Sequence, residues 1–254
     1  MDRCLFDFAL RMGDTTLILS QRLSAWCGHG PILEEDLALT NTALDLLGQA
    51  RLWLTLAGEA EGAGRDEDQL AYLRDAHDFR NALLVERPNG DYADTMARQF
   101  FFDTWHYFLL ERLAASSEPR VAAIAEKSVK EVAYHARRSA DIVVRLGDGT
   151  DESHARMQAA VDRAWPYTGE LFVDDDSDVE AARRGIGCTL AGLRAPWLAQ
   201  VRAVLDEATL TMPREDLAGH AAYRGGRQGR HSEALGPLLA EMQFLQRAYP
   251  GAAW

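Results

Sequence analysis

Two helical segments of this chain carry residues typical of metal binding, but neither carries a complete set. Glu131 and His135 lie four residues apart in one segment, and an earlier segment reads Asp45-Leu46-Leu47-Gly48. Di-iron carboxylate bundles take one carboxylate from each of two helices and a Glu-x-x-His pair from each of the other two. Gly48, which has no ligand atom, stands where one histidine is required, and Val132 stands where a Glu is required. The pattern predicts a bundle that lacks the metal and favours a partner subunit over a catalyst.

A second candidate pair, Asp103 and His106, has the three-residue spacing of a di-iron motif. The alternative is that His106 is a hydrogen-bonded core residue, because histidines in aromatic-rich helices are more often structural than ligands. The neighbouring aromatic residues, such as Phe101 and Trp105, are interpreted as core or as a subunit interface.

Lys127 precedes Glu131 and His135 at the same four-residue spacing, so the three side chains share one helix face. One interpretation is a surface ion-pair ladder. The other is a hypothesis about charge: carboxylates gathered in a core without a metal repel each other, so a cation is needed to neutralise them. Under that hypothesis Lys127 reaches into the site and pairs with Asp45, Asp103 or Glu131.

A glycine-rich segment near the C-terminus carries three arginines, Arg224, Arg227 and Arg230. Guanidinium groups bind phosphates or carboxylates through planar pairs of N–H groups. The segment matches no phosphate-binding motif, so a loop without a ligand is an equal alternative.

Composition restricts the class of protein. The chain has 254 residues, is 47% hydrophobic and has a formal net charge of -12, which argues against nucleic-acid binding. Its three cysteines are far apart and indicate neither disulfides nor a zinc site, which is typical of a cytoplasmic protein. The N-terminal segment is amphipathic and charged, so we expect no signal peptide, no membrane span and a soluble protein.

Helical periodicity and turn residues predict an all-α fold. Helices are expected at about 5–26, 36–57, 68–84, 91–115, 119–146, 150–165, 193–207 and 232–248, with an acidic loop near Asp174. We expect a single domain over 1–254. Residues 1–149 would form a core of four long helices plus a short connecting helix, and residues 150–254 would add helices packed on that core.

Several segments of the chain resemble one protein family, the C subunits of the bacterial multicomponent phenylacetyl-CoA epoxidase. They span nearly the whole chain and are residues 23–29, 44–51, 84–90, 103–106, 130–135, 231–237 and 241–247. The resemblance implies a ferritin-like subunit that is structural rather than catalytic. It also implies a related A subunit as partner, which holds the di-iron centre and epoxidises the aromatic ring of phenylacetyl-CoA. Flavin and iron–sulfur carriers would lie on a separate reductase.

The resemblance also implies which positions correspond to the lost metal site. They are Asp45 and Gly48, Asp103, and His135 with the neighbouring Glu131, while Asp14 is the nearest candidate for the carboxylate of the first helix. The alternative is a divergent di-iron oxidase that uses Asp103, His106, Glu131 and His135. The sequence leaves open contacts with other epoxidase subunits, a homodimer, and a contact of the three arginines with CoA.

Overall fold

The computed structural model describes residues 1–214, 216 and 223–252. These residues form α-helices, short 3-10 helices and loops without any β-strand, so the predicted all-α class is confirmed. The α-helices are α1 Arg3–Ser24, α2 Leu33–Glu61, α3 Glu67–Tyr72, α4 Leu83–Glu86, α5 Tyr92–Leu113, α6 Pro119–Gly147, α7 Asp151–Ala164, α8 Asp176–Arg183, α9 Arg194–Glu207, α10 Leu235–Met242 and α11 Phe244–Ala248. Within the described ranges, no helix combines the length and apolar character that crossing a membrane requires.

Capping residues mark the ends of the long helices, although α2 continues to Glu61 and does not end at 57 as expected. Asp91 caps α5 by accepting a hydrogen bond from the backbone N–H of Asp94 at 3.0 Å. Pro119 occupies the first turn of α6, where its missing N–H costs no intrahelical bond. Gly62 ends α2 in the left-handed conformation, with φ of 68°. The main chain therefore follows local signals at these positions.

The chain divides into two compact units. Unit 1 comprises Met1–Pro88 and Gly225–Trp254, and unit 2 comprises Asn89–Arg224. Each unit contains one pair of long helices, α1 with α2 in unit 1 and α5 with α6 in unit 2. The single-domain organisation remains a prediction.

In unit 1, the segment expected as one helix over 68–84 is instead broken. The helix α3 ends at Tyr72, a 3-10 turn follows at Ala76–Asp78, and α4 begins at Leu83. The reason is a long-range bond: the backbone N–H of Arg80 donates to the Asp14 carboxylate at 2.8 Å. A continuous helix would commit that N–H to a carbonyl four residues earlier.

The C-terminal helix expected over 232–248 is likewise divided, into α10 and α11. The break lies at Gln243, whose side-chain amide donates to the carbonyls of Ala71 at 3.0 Å and Arg74 at 2.9 Å. These bonds attach the C-terminal helices to the end of α3 inside unit 1.

In unit 2, helix α5 is buried on nearly all sides and packs against α6, α7 and α9. Phe101 contacts Trp165 at 5.7 Å and Trp197 at 5.8 Å between ring centroids, and the indole of Trp197 donates to the carbonyl of Phe101 at 2.9 Å. Phe101 and Trp105, like Phe100 and Phe102, are therefore core residues of unit 2, whereas Tyr107 and Phe108 are partly exposed.

The acidic segment near Asp174 is not simply a loop, because α8 begins within it. Asp175 caps α8 and forms a reciprocal capping box with Asp178. Asp174 accepts hydrogen bonds from the backbone N–H groups of Leu190 and Ala191, at 2.7 and 3.2 Å. These carboxylates satisfy backbone donors, which is the usual role of Asp at a helix start.

Candidate functional site

Unit 2 contains a cluster of buried polar side chains between α5 and α6, which we call the α5–α6 cluster. It consists of Gln99, Asp103 and His106 on α5 and of His135 and Ser139 on α6. The spacings of four and three residues place each set on one face of its helix. The structure brings Asp103 near His135, and the family resemblance assigns both positions to one site.

Asp103 has its carboxylate inside the protein. The side-chain amide of Gln99 donates to its Oδ1 at 2.6 Å. Burial raises the pKa of Asp103 to about 6, although His135, the hydroxyl of Ser139, Gln99 and the guanidinium of Arg138 all oppose this rise. This carboxyl group is partly protonated near neutral pH.

His106 lies in an apolar environment. Its ring packs against Phe102, with centroids 5.0 Å apart, and neither ring nitrogen has a hydrogen-bond partner among the described residues. Burial, followed by the positive charge that His135 can carry, lowers the pKa of His106 to about 3. The imidazole is therefore neutral at pH 7.

The neighbouring positions on α6 do not complete a metal site. Val132, three residues before His135, is fully buried and offers no ligand atom. Glu131 is half-buried. Lys127 is exposed and forms no ion pair within the part of the chain that the structure describes. The structure thus gives no support to the hypothesis that Lys127 neutralises the site. The basic side chains that act on Asp103 are instead His135 and, more weakly, Arg138.

On α2 in unit 1, the position predicted for a lost histidine faces outward. Gly48 is exposed, and a Cβ atom added there would meet no atom within 4 Å. Asp45 is half-buried, whereas Gln49 is buried. A side chain at position 48 would therefore start in open space, so the structure gives no support to the expected correspondence between Gly48 and a metal ligand. That correspondence remains a prediction.

Asp14 is buried, but its carboxylate is already bound. Arg74 forms a two-pronged ion pair with it, in which Nη1 donates to Oδ2 at 3.0 Å and Nη2 donates to Oδ1. The backbone N–H of Arg80 also donates to it. The guanidinium of Arg74 lies 4.3 Å over the ring of Phe79. These contacts make Asp14 a structural residue of unit 1 rather than a vacant ligand.

A second buried polar group of unit 1 joins Glu86 to the C-terminal segment. His231 Nδ1 lies 2.8 Å from the Glu86 carboxylate, and the backbone N–H of Ser232 and the amide of Asn81 also donate to it. Burial by itself would lower the pKa of His231, but the hydrogen bonds to Glu86 and the carbonyl of Phe79 and the charge of Glu86 raise it overall. This pair holds the segment after the arginine loop to α4.

The glycine-rich segment packs closely on residues 77–83. A Cβ at Gly226 would lie 2.3 Å from the carbonyl oxygen of Asn81, and one at Gly229 would lie 2.3 Å from that of His77. Glycine at these two positions therefore lets the backbone of this segment lie close to the backbone of residues 77–83. Arg227 and Arg230 belong to this part of unit 1, and Arg224 ends unit 2.

The residues present do not fit a di-iron centre. Among the described residues, no three His, Cys, Asp or Glu side chains are arranged to hold a metal ion. Val132 fills one ligand position with an apolar side chain, and Asp14 is occupied by Arg74. Two irons require four carboxylates and two histidines in this type of bundle. No step of a reaction is therefore assigned to a metal in this chain.

Sequence reasoning missed several members of these clusters. Gln99 and Ser139 each lie four residues from a predicted site residue, so helical spacing would have found them. Arg74, Glu86 and His231 carry no such local signal, since their partners lie 60 and 145 residues away in the chain.

Comparison with known proteins agrees with this architecture. The family described as phenylacetic acid catabolic protein matches residues 1–254. The chain is also 52% identical, over 248 residues, to the C subunit of the 1,2-phenylacetyl-CoA epoxidase of Escherichia coli strain K12, with 97% of this chain and 98% of that protein covered. A ferritin-like all-α fold fits this assignment. The chain belongs to the phenylacetic acid catabolic protein family.

Proposed function

We propose that this chain is the C subunit of a 1,2-phenylacetyl-CoA epoxidase and acts as a non-catalytic partner of a related di-iron A subunit. The observation that carries the proposal is the 52% identity to the C subunit of the Escherichia coli epoxidase over 97% of the chain. The role in phenylacetate catabolism follows from this relationship.

The α5–α6 cluster supports the non-catalytic part of the proposal. A di-iron catalyst needs carboxylates aimed into one cavity, whereas Asp103 is bound by Gln99 and Val132 is apolar. His106 is neutral and packed among aromatic rings. These side chains lie in the packed interior between two helices, and we assign none of them a role in oxygen activation.

The chemistry of the complex is therefore assigned to the other subunits. The A subunit would hold the di-iron centre, and a separate reductase would carry flavin and iron–sulfur groups. This chain would stabilise the A subunit by pairing with it. We place the complex in the cytoplasm.

Reconstitution with an A subunit tests this assignment. Asp103→Asn keeps the shape of the side chain but removes a potential metal ligand, so we expect kcat of the complex to stay within about twofold of the wild type. The control is the complex without this chain, which should lose activity. A loss of about 100-fold for Asp103→Asn, with unchanged binding and helical content, would contradict a non-catalytic role.

Iron analysis separates the proposal from a divergent di-iron oxidase that uses Asp103, His106, Glu131 and His135. This chain, purified alone after growth with added iron, should hold only trace metal. About two irons per chain would support the oxidase instead.

A further inference from the structure

Helix α2 carries an exposed row of large aliphatic side chains. Leu33, Leu37, Leu44 and Leu47, which we call the leucine stripe, are 70%, 55%, 60% and 39% exposed. Their spacings of four, seven and three residues place them on one face of the helix, along roughly 20 Å of its length. A helix of a globular protein usually turns such a face toward its own core. Here the buried face of α2 lies elsewhere, at residues such as Leu39, Leu46 and Trp53.

The stripe continues into a groove of unit 1. A cavity of about 510 Å³ is lined by Leu44, Leu47 and Gly48 from α2, together with Leu17 from α1 and Tyr72 from α3. Gly48 contributes no side chain, which leaves open space beside Leu44 and Leu47. Stripe and groove together form one continuous apolar surface.

The area of this surface is that of an interface core. Four leucines exposed to this degree leave on the order of 100 Å² each, so the stripe alone exposes roughly 400 Å² of apolar area. A stable interface buries about 800 Å² on each partner, with an apolar centre and a polar rim. The apolar area of the stripe and the groove is therefore large enough to form the apolar centre of such an interface.

The charges around the stripe indicate what kind of partner fits. Glu34 and Asp45 lie along one side of it and Asp36 along the other, and Asp68 lines the groove. Arg51, which lies within the stripe, is paired with Glu67 at 3.2 Å. Because the chain carries a net charge of -12, a second copy would bring two acidic rims together. A partner with a basic rim is complementary.

We propose that the leucine stripe is the docking surface for the A subunit, which meets it with an apolar helix face flanked by Lys and Arg. This inference rests on the proposed function and specifies the surface through which the two proteins pair. Gly48 then has a role that the lost-metal pattern did not provide: it gives room for a side chain of the partner.

The double variant Leu37→Glu/Leu44→Glu tests the proposal. Both positions are exposed in the free chain, so the variant should keep the helical content and unfolding temperature of the wild type. Binding to the purified A subunit, measured by titration calorimetry, should weaken by at least about 100-fold. The matched control is Val179→Glu, at a residue of unit 2 that is 56% exposed, and it should bind as the wild type does. Affinity of the double variant within about threefold of the wild type would overturn the proposal.

Two further results distinguish a failure of the proposed docking surface from a failure of the proposed function. If the wild-type chain does not bind an A subunit at all, the proposed function fails and the docking proposal with it. If the wild type binds and the double variant binds equally, only the surface is wrong.

Light scattering of the chain alone tests the choice of partner. We expect a monomer at the concentrations used for binding. A dimer that the double variant dissociates would assign the stripe to a second copy and overturn the proposal.

Charge reversal at Glu34→Lys should slow association with the A subunit more at low salt than at high salt, because a basic rim steers the encounter.

Discussion

At the scale of single residues, the buried side chains of Asp14 in unit 1 and His106 in unit 2 differ in their hydrogen bonding. Asp14 is fully paired, with two bonds to the guanidinium of Arg74 and one to a backbone N–H. His106 is equally buried, but its ring nitrogens have no partner among the described residues. The first arrangement stabilises the fold only while both partners are present, and the second lowers the stability of the fold.

We predict that Asp14→Ala lowers the free energy of unfolding by about 3–5 kcal/mol, because it leaves the Arg74 guanidinium buried without its counter-charge. Urea unfolding followed by circular dichroism measures this change. The control is Asp141→Ala, which breaks the exposed Arg145–Asp141 pair and should cost less than about 0.5 kcal/mol. A cost below about 1 kcal/mol for Asp14→Ala would show that the buried pair is not structural.

We predict that His106→Leu raises the free energy of unfolding by about 1 kcal/mol at pH 7, because it replaces an unpartnered polar ring with an apolar side chain. Chemical denaturation at constant pH gives the difference. His106→Ala is the control and should destabilise the protein by leaving a cavity. Destabilisation by His106→Leu greater than about 1 kcal/mol would indicate that the imidazole has a polar partner.

The same position predicts a pH dependence. The pKa of His106 is lowered from 6.5 to about 3, so the unfolded chain takes up a proton below pH 6.5 and the folded chain does not. Stability is therefore lost as pH falls through this range. The advantage of His106→Leu over the wild type should grow by about 2 kcal/mol between about pH 7 and pH 5. An advantage that does not change with pH would contradict the low pKa.

At the scale of elements, helix α2 shows how rotational phase decides the role of a residue. The helix is continuous but contains two glycines, Gly48 on its exposed face and Gly58 on its buried face. At Gly58 an added Cβ would lie 2.2 Å from the carbonyl oxygen of Arg65, whereas at Gly48 it would meet nothing. The glycine at position 58 therefore permits close packing, and the one at position 48 does not.

We predict opposite effects of alanine at these two positions. Gly48→Ala should raise the free energy of unfolding by about 0.5–1 kcal/mol, because alanine has the higher helix propensity. Gly58→Ala should lower it, since the backbone of Arg65 must move. Thermal unfolding of both variants provides the comparison, and each serves as the control for the other. Destabilisation by Gly48→Ala would show that position 48 is packed rather than exposed.

At the scale of the whole molecule, the division into two units raises the question of cooperativity. Unit 1 takes its segments from both ends of the chain, and the Glu86–His231 pair connects them. We keep the prediction of a single domain and expect one calorimetric transition, with the calorimetric enthalpy equal to the van't Hoff enthalpy. Two transitions, of which Asp14→Ala shifts only one, would instead identify two independently folding domains.

The helical class and most helix ends follow from local signals in the sequence. Asp91, Pro119 and Gly62 act through their own backbone neighbours, so their effect can be read locally. Helical periodicity also predicts which side chains of one helix share a face. That Asp103 on α5 and His135 on α6 belong to one site was implied by the family resemblance and not by spacing.

Tertiary packing, by contrast, determines which face is buried and which distant groups meet. Gly48 faces outward and Lys127 is exposed, although their spacing suited a site, because periodicity gives relative angles but not the phase toward the core. The partner of Asp14 lies 60 residues away, and that long-range contact also breaks the helix expected over 68–84. Such contacts depend on chain packing, which no local pattern encodes.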